Sequence, residues 1–310
     1  MLPDRRVQLP RAVVDVRRNA GPGSADDVRI GLFGINYGAC ADIAVAVAVA
    51  RAAEATGFDS LWTGEHVVLP DPQVAPSPAP AWLPFLDPAI ALAALAQHTK
   101  RILLGTGIII LPQRNPLVLA KEMASVDVVS GGRLLFGVGI GYLEPEFRAL
   151  GIPFEDKGPR TTEYLRAMIA LWTQEKPAFE GQFVSFSGIN AFPRPVQKPH
   201  PPIVFGGHTR ASLRRALELG SGWYGFSMDL ATTAHCMDML KETQATHGRG
   251  QGLGKLEISI TPPAGLPDLE TARRYSELGV DRLILLPNVV TRDDLLDYVA
   301  DAGRTLVGRL

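Results

Sequence analysis

The sequence is poor in cysteine. Only Cys40 and Cys236 occur among its 310 residues, which excludes a framework of several disulfide bonds. It also contains no Asn-x-Ser or Asn-x-Thr site for N-glycosylation. Because disulfide bonds are typical of oxidising compartments, we expect a cytoplasmic protein.

The sequence has no excess of charge of either sign. Lysine and arginine together number 31 and aspartate and glutamate 32, so the formal net charge is −1. A chain without a positive field is a poor binder of polyphosphate backbones, and we expect no nucleic-acid partner. Long apolar runs are also missing. Residues 43–50 and 89–96 are among the longest, and a bilayer span needs about 20 residues, so we expect no membrane partner.

Several motifs of well-defined chemistry are absent. The sequence has no Gly-x-x-x-x-Gly-Lys-Ser/Thr loop, no Gly-x-Ser-x-Gly turn, and no His-Glu-x-x-His or clustered Cys and His. We therefore predict no metal site. Gly137, Gly139 and Gly141 alternate, but Tyr142 stands where the third glycine of a dinucleotide-binding fingerprint belongs. A Rossmann nucleotide site is therefore disfavoured.

What the sequence does contain is a regular alternation of strands and helices from residue 29 onward. Eight short apolar runs are continuous rather than alternating, as expected for strands covered on both faces. These predicted strands are 29–35, 60–63, 102–110, 134–139, 203–205, 222–226, 256–260 and 282–286. The predicted helices are 41–56, 88–98, 116–129, 160–172, 209–219, 231–246, 268–278 and 292–306. Eight such units predict a (β/α)₈ TIM barrel in one domain, 29–310, with a doubly wound open sheet as the alternative.

Three segments depart from this repeat. Residues 1–28 have no helical or strand period, and we interpret them as an N-terminal extension. The proline-rich segment 69–87 is either a surface loop or part of a lid over a pocket. The insertion 141–202 between strands four and five contains a helix and a probable hairpin around 179–183, and it follows a strand end where barrel active sites are built.

The chemistry-bearing residues follow the predicted strand ends. Glu65 and His66 come after the second strand, where a carboxylate can orient an imidazole for proton transfer; a solvated loop pair is the alternative. Gly105 and Gly107 interrupt the third strand, which indicates either support for a flat ligand or a small residue in a tapered barrel. The alternating glycines of the fourth strand, Gly139 and Gly141 among them, let a ligand press against the main chain.

The fifth predicted strand ends in a glycine pair that opens a helix. Its residues are Gly206, Gly207, His208, Thr209 and Arg210. Free amides at a helix start attract anions, so this turn is a candidate phosphate cradle, with an ordinary strand-to-helix turn as the alternative.

Together these segments resemble the luciferase-like monooxygenase family of flavin and deazaflavin oxidoreductases. The resemblance is strong from about residue 29 to 246 and extends to the last two units only by pattern. The matching stretches are 57–66, 99–116, 130–147, 160–164 and 195–202, followed by 206–208. Within this family the chain looks most like the branch that uses coenzyme F420, a 5-deazaflavin, and less like the FMN branch.

The resemblance implies a barrel with insertions, often a homodimer, and a non-prolyl cis peptide bond at Gly107–Ile108 beneath the cofactor ring. It places Gly141 and Tyr142 beside the cofactor or its reaction partner, and Gly206, Gly207, His208 and Thr209 at the cofactor phosphate. It also implies that Glu65 and His66 form the acid–histidine pair near the ring. Some sugar-oxidising relatives have a glutamate where Tyr142 stands, so a sugar dehydrogenase is disfavoured. We do not assign that acid's role to Glu144 or Glu146.

We therefore predict an oxidoreductase that passes a hydride between coenzyme F420 and a small organic substrate. His66 moves the compensating proton, Glu65 holds His66, and Tyr142 hydrogen-bonds the substrate or the ring. Tyr37, Trp62 and Trp82 wall an apolar substrate pocket. The alternatives are an FMN-dependent monooxygenase of the same fold, in which reduced flavin activates oxygen, and a non-catalytic barrel that binds a metabolite.

Overall fold

The structure, a computed structural model, describes residues 28–310. The predicted extension 1–28 therefore lies outside the described residues, apart from Val28, which is buried in the core. The strands are β1 (Arg29–Phe33), β2 (Ser60–Thr63), β3 (Leu103–Thr106), β4 (Ile109–Ile110), β5 (Leu134–Gly139), β6 (Phe179–Glu180), β7 (Ser185–Phe186), β8 (Ile203–Gly206), β9 (Gly222–Gly225), β10 (Glu257–Ile260) and β11 (Arg282–Leu285).

Helices follow the barrel strands and cover them from outside. They are α1 (Ile43–Ala55), α2 (Pro88–Ala96), α3 (Pro116–Ser130), α4 (Glu144–Ala149), α5 (Lys157–Thr173), α6 (Arg210–Leu219), α7 (Leu230–His247), α8 (Leu269–Glu277) and α9 (Arg292–Thr305). Short 3₁₀ turns occupy Gly38–Ala41 and Leu111–Gln113. Within residues 28–310, no helix is both long and apolar enough to cross a membrane.

The strands close into a parallel barrel, as predicted. Neighbours pair in the order β1, β2, β3, β5, β8, β9, β10 and β11, and β11 returns to β1 with Ile30 opposite Leu283. The pairing of β3 with β5, Leu104 opposite Leu134, closes the ring. Short β4 continues the third strand beyond a break and also pairs with β5. All barrel strands run in one direction, so their carboxyl ends share one mouth.

Most predicted boundaries hold within a few residues, with two exceptions. The third strand is not continuous over 102–110, because its ladder is interrupted at residues 107 and 108. Helix α4 was not predicted, since six residues are too few to show a helical hydrophobic period. The predicted hairpin is present as antiparallel β6 and β7.

Side-chain caps fix the starts of two predicted helices. The Asp87 carboxylate accepts the Ala89 N–H at 2.8 Å, and the Asn115 side chain accepts the Leu117 N–H at 3.0 Å. In both cases proline follows the cap as the first residue of the helix. Its missing backbone N–H costs nothing there, because an N–H at this position has no acceptor within the helix. Caps of this kind each stabilise a helix by about 1 kcal/mol.

The amino end of the barrel is closed by a buried ion-pair cluster. The fully buried Arg282 donates to Oδ2 of Asp59 at 2.8 Å and also to the carboxylate of Glu257. Glu257 in turn pairs with Arg29 at 2.7 Å. Asp59 belongs to a stretch that carries the family resemblance, and its role in this structure is to close the barrel.

This cluster predicts a dependence of stability on acid. Burial raises the pKa of Glu257, but the charges of Arg282 and Arg29 outweigh it and hold the pKa below its ordinary value. A carboxyl group whose pKa is lower in the folded than in the unfolded state stabilises the fold at pH values above its unfolded pKa, about 4.3. This stabilisation is lost as the pH falls through the pKa of the folded state. We expect Glu257→Gln to lower the melting temperature at neutral pH and to flatten its fall at acidic pH. Melting curves for both proteins between about pH 3 and pH 7 check this; parallel curves would contradict it.

Two further segments of the resemblance also have structural roles. Arg133 donates to the carbonyls of Ser130 and Ala96, each at 2.8 Å, and so joins two helix ends. Gln197 donates to Oδ1 of the buried Asp127 at 2.7 Å. These residues anchor the connections at the amino end and lie far from the mouth.

Candidate active site

The mouth of the barrel gathers the residues that the sequence singled out. Glu65 and His66 follow β2, Tyr142 follows β5, and the glycine pair 206–207 ends β8. Because all three strands are parallel members of one barrel, these groups share its carboxyl end. His66 and the glycine pair therefore lie at the same end of the barrel.

His66 lies at the centre of a hydrogen-bonded chain. Its Nδ1 donates to Oε2 of Glu146 at 3.1 Å, and the Tyr142 hydroxyl donates to its Nε2 over a longer 3.5 Å. The Glu146 side chain is fully buried and also accepts the Val67 N–H at 2.6 Å. Because a carboxylate only accepts, Nδ1 carries the hydrogen and Nε2 is the basic nitrogen.

The prediction that Glu65 holds His66 is wrong. Glu65 instead accepts from Nε of Arg114 at 2.8 Å and from the backbone N–H of Ile110. Burial raises the pKa of the Glu65 carboxyl, and Arg114 offsets part of this. Arg114 also donates to Oδ2 of Asp87 at 2.7 Å. Glu65 therefore ties the end of β2 to the chain beyond the third-strand break and to the start of α2.

Asn36 fixes the position of the loop that carries His66. Its buried side-chain amide donates to the carbonyls of Gly64 and Leu86, at 2.9 and 2.7 Å, and its oxygen accepts the Gly64 N–H at 2.8 Å. Three hydrogen bonds from one side chain hold the end of β2 against the proline-rich segment.

The third-strand break lies where the resemblance placed it. The peptide bond between Gly107 and Ile108 is cis. The Ile108 side chain fills the space beside Gly139 and Gly206 on two neighbouring strands. A Cβ added to Gly139 would lie 2.5 Å from Cδ1 of Ile108, and one added to Gly206 would lie 3.1 Å from its Cγ2.

This packing corrects the predicted role of the glycines. The space beside Gly139 is filled by Ile108, and a Cβ on Gly141 would lie 2.6 Å from Cγ2 of Ile110 and 2.7 Å from Phe147. Gly141 also has a φ of +74°, which other residues rarely adopt. These two glycines seat protein side chains, and Ile108 is partly exposed above Gly139.

The turn at the start of α6 has fewer open amides than the sequence suggested. The Gly207 N–H donates to the Tyr224 carbonyl at 3.3 Å, and the Thr209 N–H donates to Oγ of Ser212 at 3.0 Å. Thr209 is the N-cap, and its hydroxyl accepts the Ser212 N–H. The first turn has no acidic residue, and the N–H groups of Arg210 and Ala211 have no acceptor within the helix. An anion is therefore compatible with this turn.

His208 accepts rather than donates at one ring nitrogen. The Phe226 N–H donates to its Nε2 at 3.2 Å, and burial lowers the pKa of the ring. A neutral His208 offers hydrogen bonding at this turn but little charge.

The three predicted pocket residues have different environments. Tyr37 lies at the mouth, with its ring centroid 5.0 Å from that of Phe85. Trp82 is 80% exposed on the proline-rich segment. Trp62 is fully buried inside the barrel, where its indole N–H donates to Oγ of Ser60 at 2.9 Å. The prediction that Trp62 walls the pocket is therefore corrected: it packs beneath the mouth.

Sequence reasoning missed Glu146, Asn36 and Phe85. Glu146 had a local signal, since Glu144, Pro145 and Glu146 form an acidic, proline-containing helix start. Its pairing with His66, 80 residues earlier, had none. Asn36 and Phe85 likewise act through contacts between distant segments.

A closed parallel barrel with a histidine-centred hydrogen-bond chain at its carboxyl end defines a TIM-barrel protein with an enzyme-like site. The sequence signature of the luciferase-like monooxygenase family matches residues 18–279. The chain belongs to this family.

Sequence relatives show the breadth of the family. An uncharacterized protein of Mycobacterium tuberculosis (strain ATCC 25618 / H37Rv) is 33% identical over 261 residues, which cover 81% of this chain and 90% of that protein. The FMNH(2)-dependent dimethylsulfone monooxygenase of Pseudomonas putida is 37% identical over 113 residues, covering 36% of this chain and 31% of that enzyme.

Solved structures share the fold. An F420-dependent secondary alcohol dehydrogenase, in complex with an F420–acetone adduct, aligns with a TM-score of 0.75 at 17% identity, over 92% of this chain and 99% of that one. Monooxygenase RslO1 from Streptomyces bottropensis aligns with a TM-score of 0.72 at 21% identity, over 90% and 99%. The proteins similar to this chain therefore include an F420-dependent enzyme and an FMNH(2)-dependent enzyme.

Proposed function

We propose that this protein transfers a hydride between coenzyme F420 and an organic substrate, and that His66 moves the compensating proton. The observation that carries the proposal is the chain from buried Glu146 through His66 to Tyr142, at the same end of the barrel as the Ile108 surface and the α6 turn. A deazaflavin, when bound, supplies two-electron hydride chemistry because carbon replaces the reactive ring nitrogen of a flavin.

The residues of this chain divide the proton chemistry between them. His66 Nε2 accepts a proton from a substrate hydroxyl in the oxidative direction and returns it in the reductive direction. Glu146 orients the ring and stabilises the imidazolium that forms. Burial and then the Glu146 charge raise the pKa of the Tyr142 phenol. Tyr142 therefore stays protonated at neutral pH and donates a hydrogen bond to the substrate oxygen.

The site is compatible with a flat ring that carries an anionic tail. Ile108, partly exposed above Gly139 and Gly206, offers an apolar face next to the break in the third strand. The start of α6 offers helix amides with no carboxylate in its first turn, and Arg210 is exposed there and paired with Glu242 of α7 at 2.7 Å. We propose that Ile108 supports the ring and that the α6 turn binds the phosphate.

An FMN-dependent monooxygenase is the second candidate. It is favoured by the likeness to the Pseudomonas putida enzyme and to the oxygenase component of a flavin-dependent trigonelline monooxygenase from Acinetobacter baylyi (strain ATCC 33305 / BD413 / ADP1), 33% identical over 159 residues. Phosphate recognition at α6 is equally suited to either cofactor.

Cofactor titration separates the two candidates. We expect coenzyme F420 to bind the full-length protein with a saturable change in its own fluorescence, and FMN to bind more weakly. A second titration uses the variant Arg210→Ala, which should weaken F420 binding because it removes positive charge at the α6 turn. Tight FMN binding without F420 binding would reverse the order of the candidates.

We also propose that the protein forms a homodimer through the outer face of α1, α2 and α3. Near the starts of these adjacent helices, Ile43, Ile90 and Val118 are 42%, 67% and 56% exposed, and α2 contains no charged residue. Exposed apolar surface of this kind marks association sites.

We expect Ile90→Asp to convert the dimer to a monomer, because a charge on this face would be buried without a partner. Light scattering after size-exclusion chromatography measures the mass. The matched control is Val290→Asp, an exposed valine after β11, which should leave the mass unchanged. A dimer that survives Ile90→Asp would contradict this interface.

A further inference from the structure

The mouth of the barrel has two unlike sides. On β3, β5 and β8 the strand ends are rich in glycine, and Ile108 packs over Gly139 and Gly206. The ends and loops of β1, β2 and β9 instead carry aromatic rings, and Tyr142, which follows β5, joins them through His66. A site with two chemically distinct walls is suited to two different molecules.

The aromatic side is continuous. Centroid distances along it are 6.0 Å from Tyr142 to His66, 5.9 Å from His66 to Phe85, 5.0 Å from Phe85 to Tyr37 and 6.1 Å from Tyr37 to Phe33. Phe33 then contacts Phe226 across the mouth at 5.0 Å. We call these six residues, Phe33, Tyr37, His66, Phe85, Tyr142 and Phe226, the aromatic arc.

The arc retains exposed ring surface. Tyr142 is 49% exposed and Phe226 is 40% exposed, while Tyr37 and Phe85 are half-buried. The arc contains no lysine, arginine or carboxylate of its own. Burial raises the pKa of Tyr37 to about 12, which keeps its phenol uncharged. The arc therefore presents flat, apolar and largely uncharged surface.

Hydrogen-bonding capacity is concentrated at one end of the arc. The Tyr142 hydroxyl and His66 Nε2 meet there at 3.5 Å, next to exposed Val67 and Val68. One oxygen atom of a ligand placed on the rings is enough to engage this pair.

We propose that the aromatic arc is the substrate subsite and that its substrate is an uncharged compound with a flat ring system and one carbonyl or hydroxyl oxygen. This inference rests on the proposed function, which assigns the Ile108 surface and the α6 turn to the cofactor. Ring faces stack on ring faces, and the oxygen is bound by Tyr142 and His66. A charged substrate is disfavoured, because the arc has no opposite charge to compensate its lost hydration.

Calorimetry on the full-length protein loaded with F420 tests this. The probes are 2-acetonaphthone, which is neutral, and 2-naphthoate, which has the same ring system and a negative charge. We expect saturable binding of the ketone and binding of the carboxylate at least about tenfold weaker. Equal or tighter binding of 2-naphthoate would overturn the proposed substrate class.

Variants locate the binding. Phe226→Leu keeps apolar bulk but removes a ring, and we expect it to weaken ketone binding by about two- to tenfold, the worth of one aromatic pair. Phe192→Leu, a 65% exposed ring outside the arc, is the matched control and should have no effect. Thermal melting verifies that both variants fold, and ketone binding unchanged by Phe226→Leu would overturn the assignment to the arc.

Competition separates this inference from the proposed function. If F420 binds but displaces the ketone, the arc holds the cofactor and the inference fails while the proposed function stands. If the ketone binds and F420 does not bind at all, the substrate subsite stands and the proposed cofactor fails. We expect both to bind together.

Discussion

Replacing His66 by alanine is expected to lower kcat by about 10²–10⁴-fold, the usual contribution of a positioned acid–base group. The reason is that Nε2 is the basic nitrogen at the mouth, and the fully buried Glu146 carboxylate holds the ring through Nδ1. The assay follows oxidation of reduced F420 by the acceptor that the native protein turns over fastest among neutral ketones and quinones. Fluorescence titration in parallel shows whether the cofactor still binds.

The matched control for this variant is His247→Ala, an exposed histidine at the end of α7 that should leave kcat unchanged. Glu146→Gln is the variant for the positioning role, since an amide oxygen still accepts from Nδ1 but carries no charge. It should lower kcat less than His66→Ala does, because the ring keeps its hydrogen bond while the imidazolium that forms loses its counter-charge. Full turnover by His66→Ala with cofactor bound would exclude the proton role.

The largest effect on stability is expected from Arg282→Met. This change preserves the length of the side chain but leaves Asp59 and Glu257 at the amino end of the barrel without their shared cation. Breaking a buried ion pair on one side typically costs about 3–5 kcal/mol of unfolding free energy. Urea unfolding followed by circular dichroism measures the difference.

An exposed pair provides the comparison. Arg304 lies beside Asp301 with both side chains more than half exposed, and Arg304→Met should cost no more than about 1 kcal/mol. Adding Asp59→Asn and Glu257→Gln to Arg282→Met removes the two carboxylates that lost Arg282 as a partner, and it should recover part of the loss. If Arg282→Met and Arg304→Met destabilise the protein equally, the buried cluster does not stabilise the fold as we infer.

The architecture was accessible from sequence because it is encoded locally. Continuous apolar runs mark strands covered on both faces, and caps such as Asp87 and Asn115 mark helix starts. Eight repeats of that pattern suffice for a barrel, and parallel strands then bring every strand end to one mouth. The position of His66 at the mouth therefore followed from its place directly after β2.

The partners of those residues were not accessible. Glu65 is adjacent to His66 in sequence, yet it pairs with Arg114, 49 residues later, while Glu146 approaches His66 from 80 residues away. Trp62 is next to the site in sequence but points into the barrel. Neighbours along a chain leave a strand in different directions, so adjacency does not establish contact.

By itself, then, the sequence determined the barrel, its mouth and the segments that reach it, because hydrophobic period and capping act within a few residues. The tertiary structure alone decided which carboxylate holds His66, which side chain packs against Gly139 and Gly206, and which rings form the aromatic arc. Those contacts join segments far apart in the chain, and only the packing of the folded barrel brings their atoms within hydrogen-bonding or van der Waals distance.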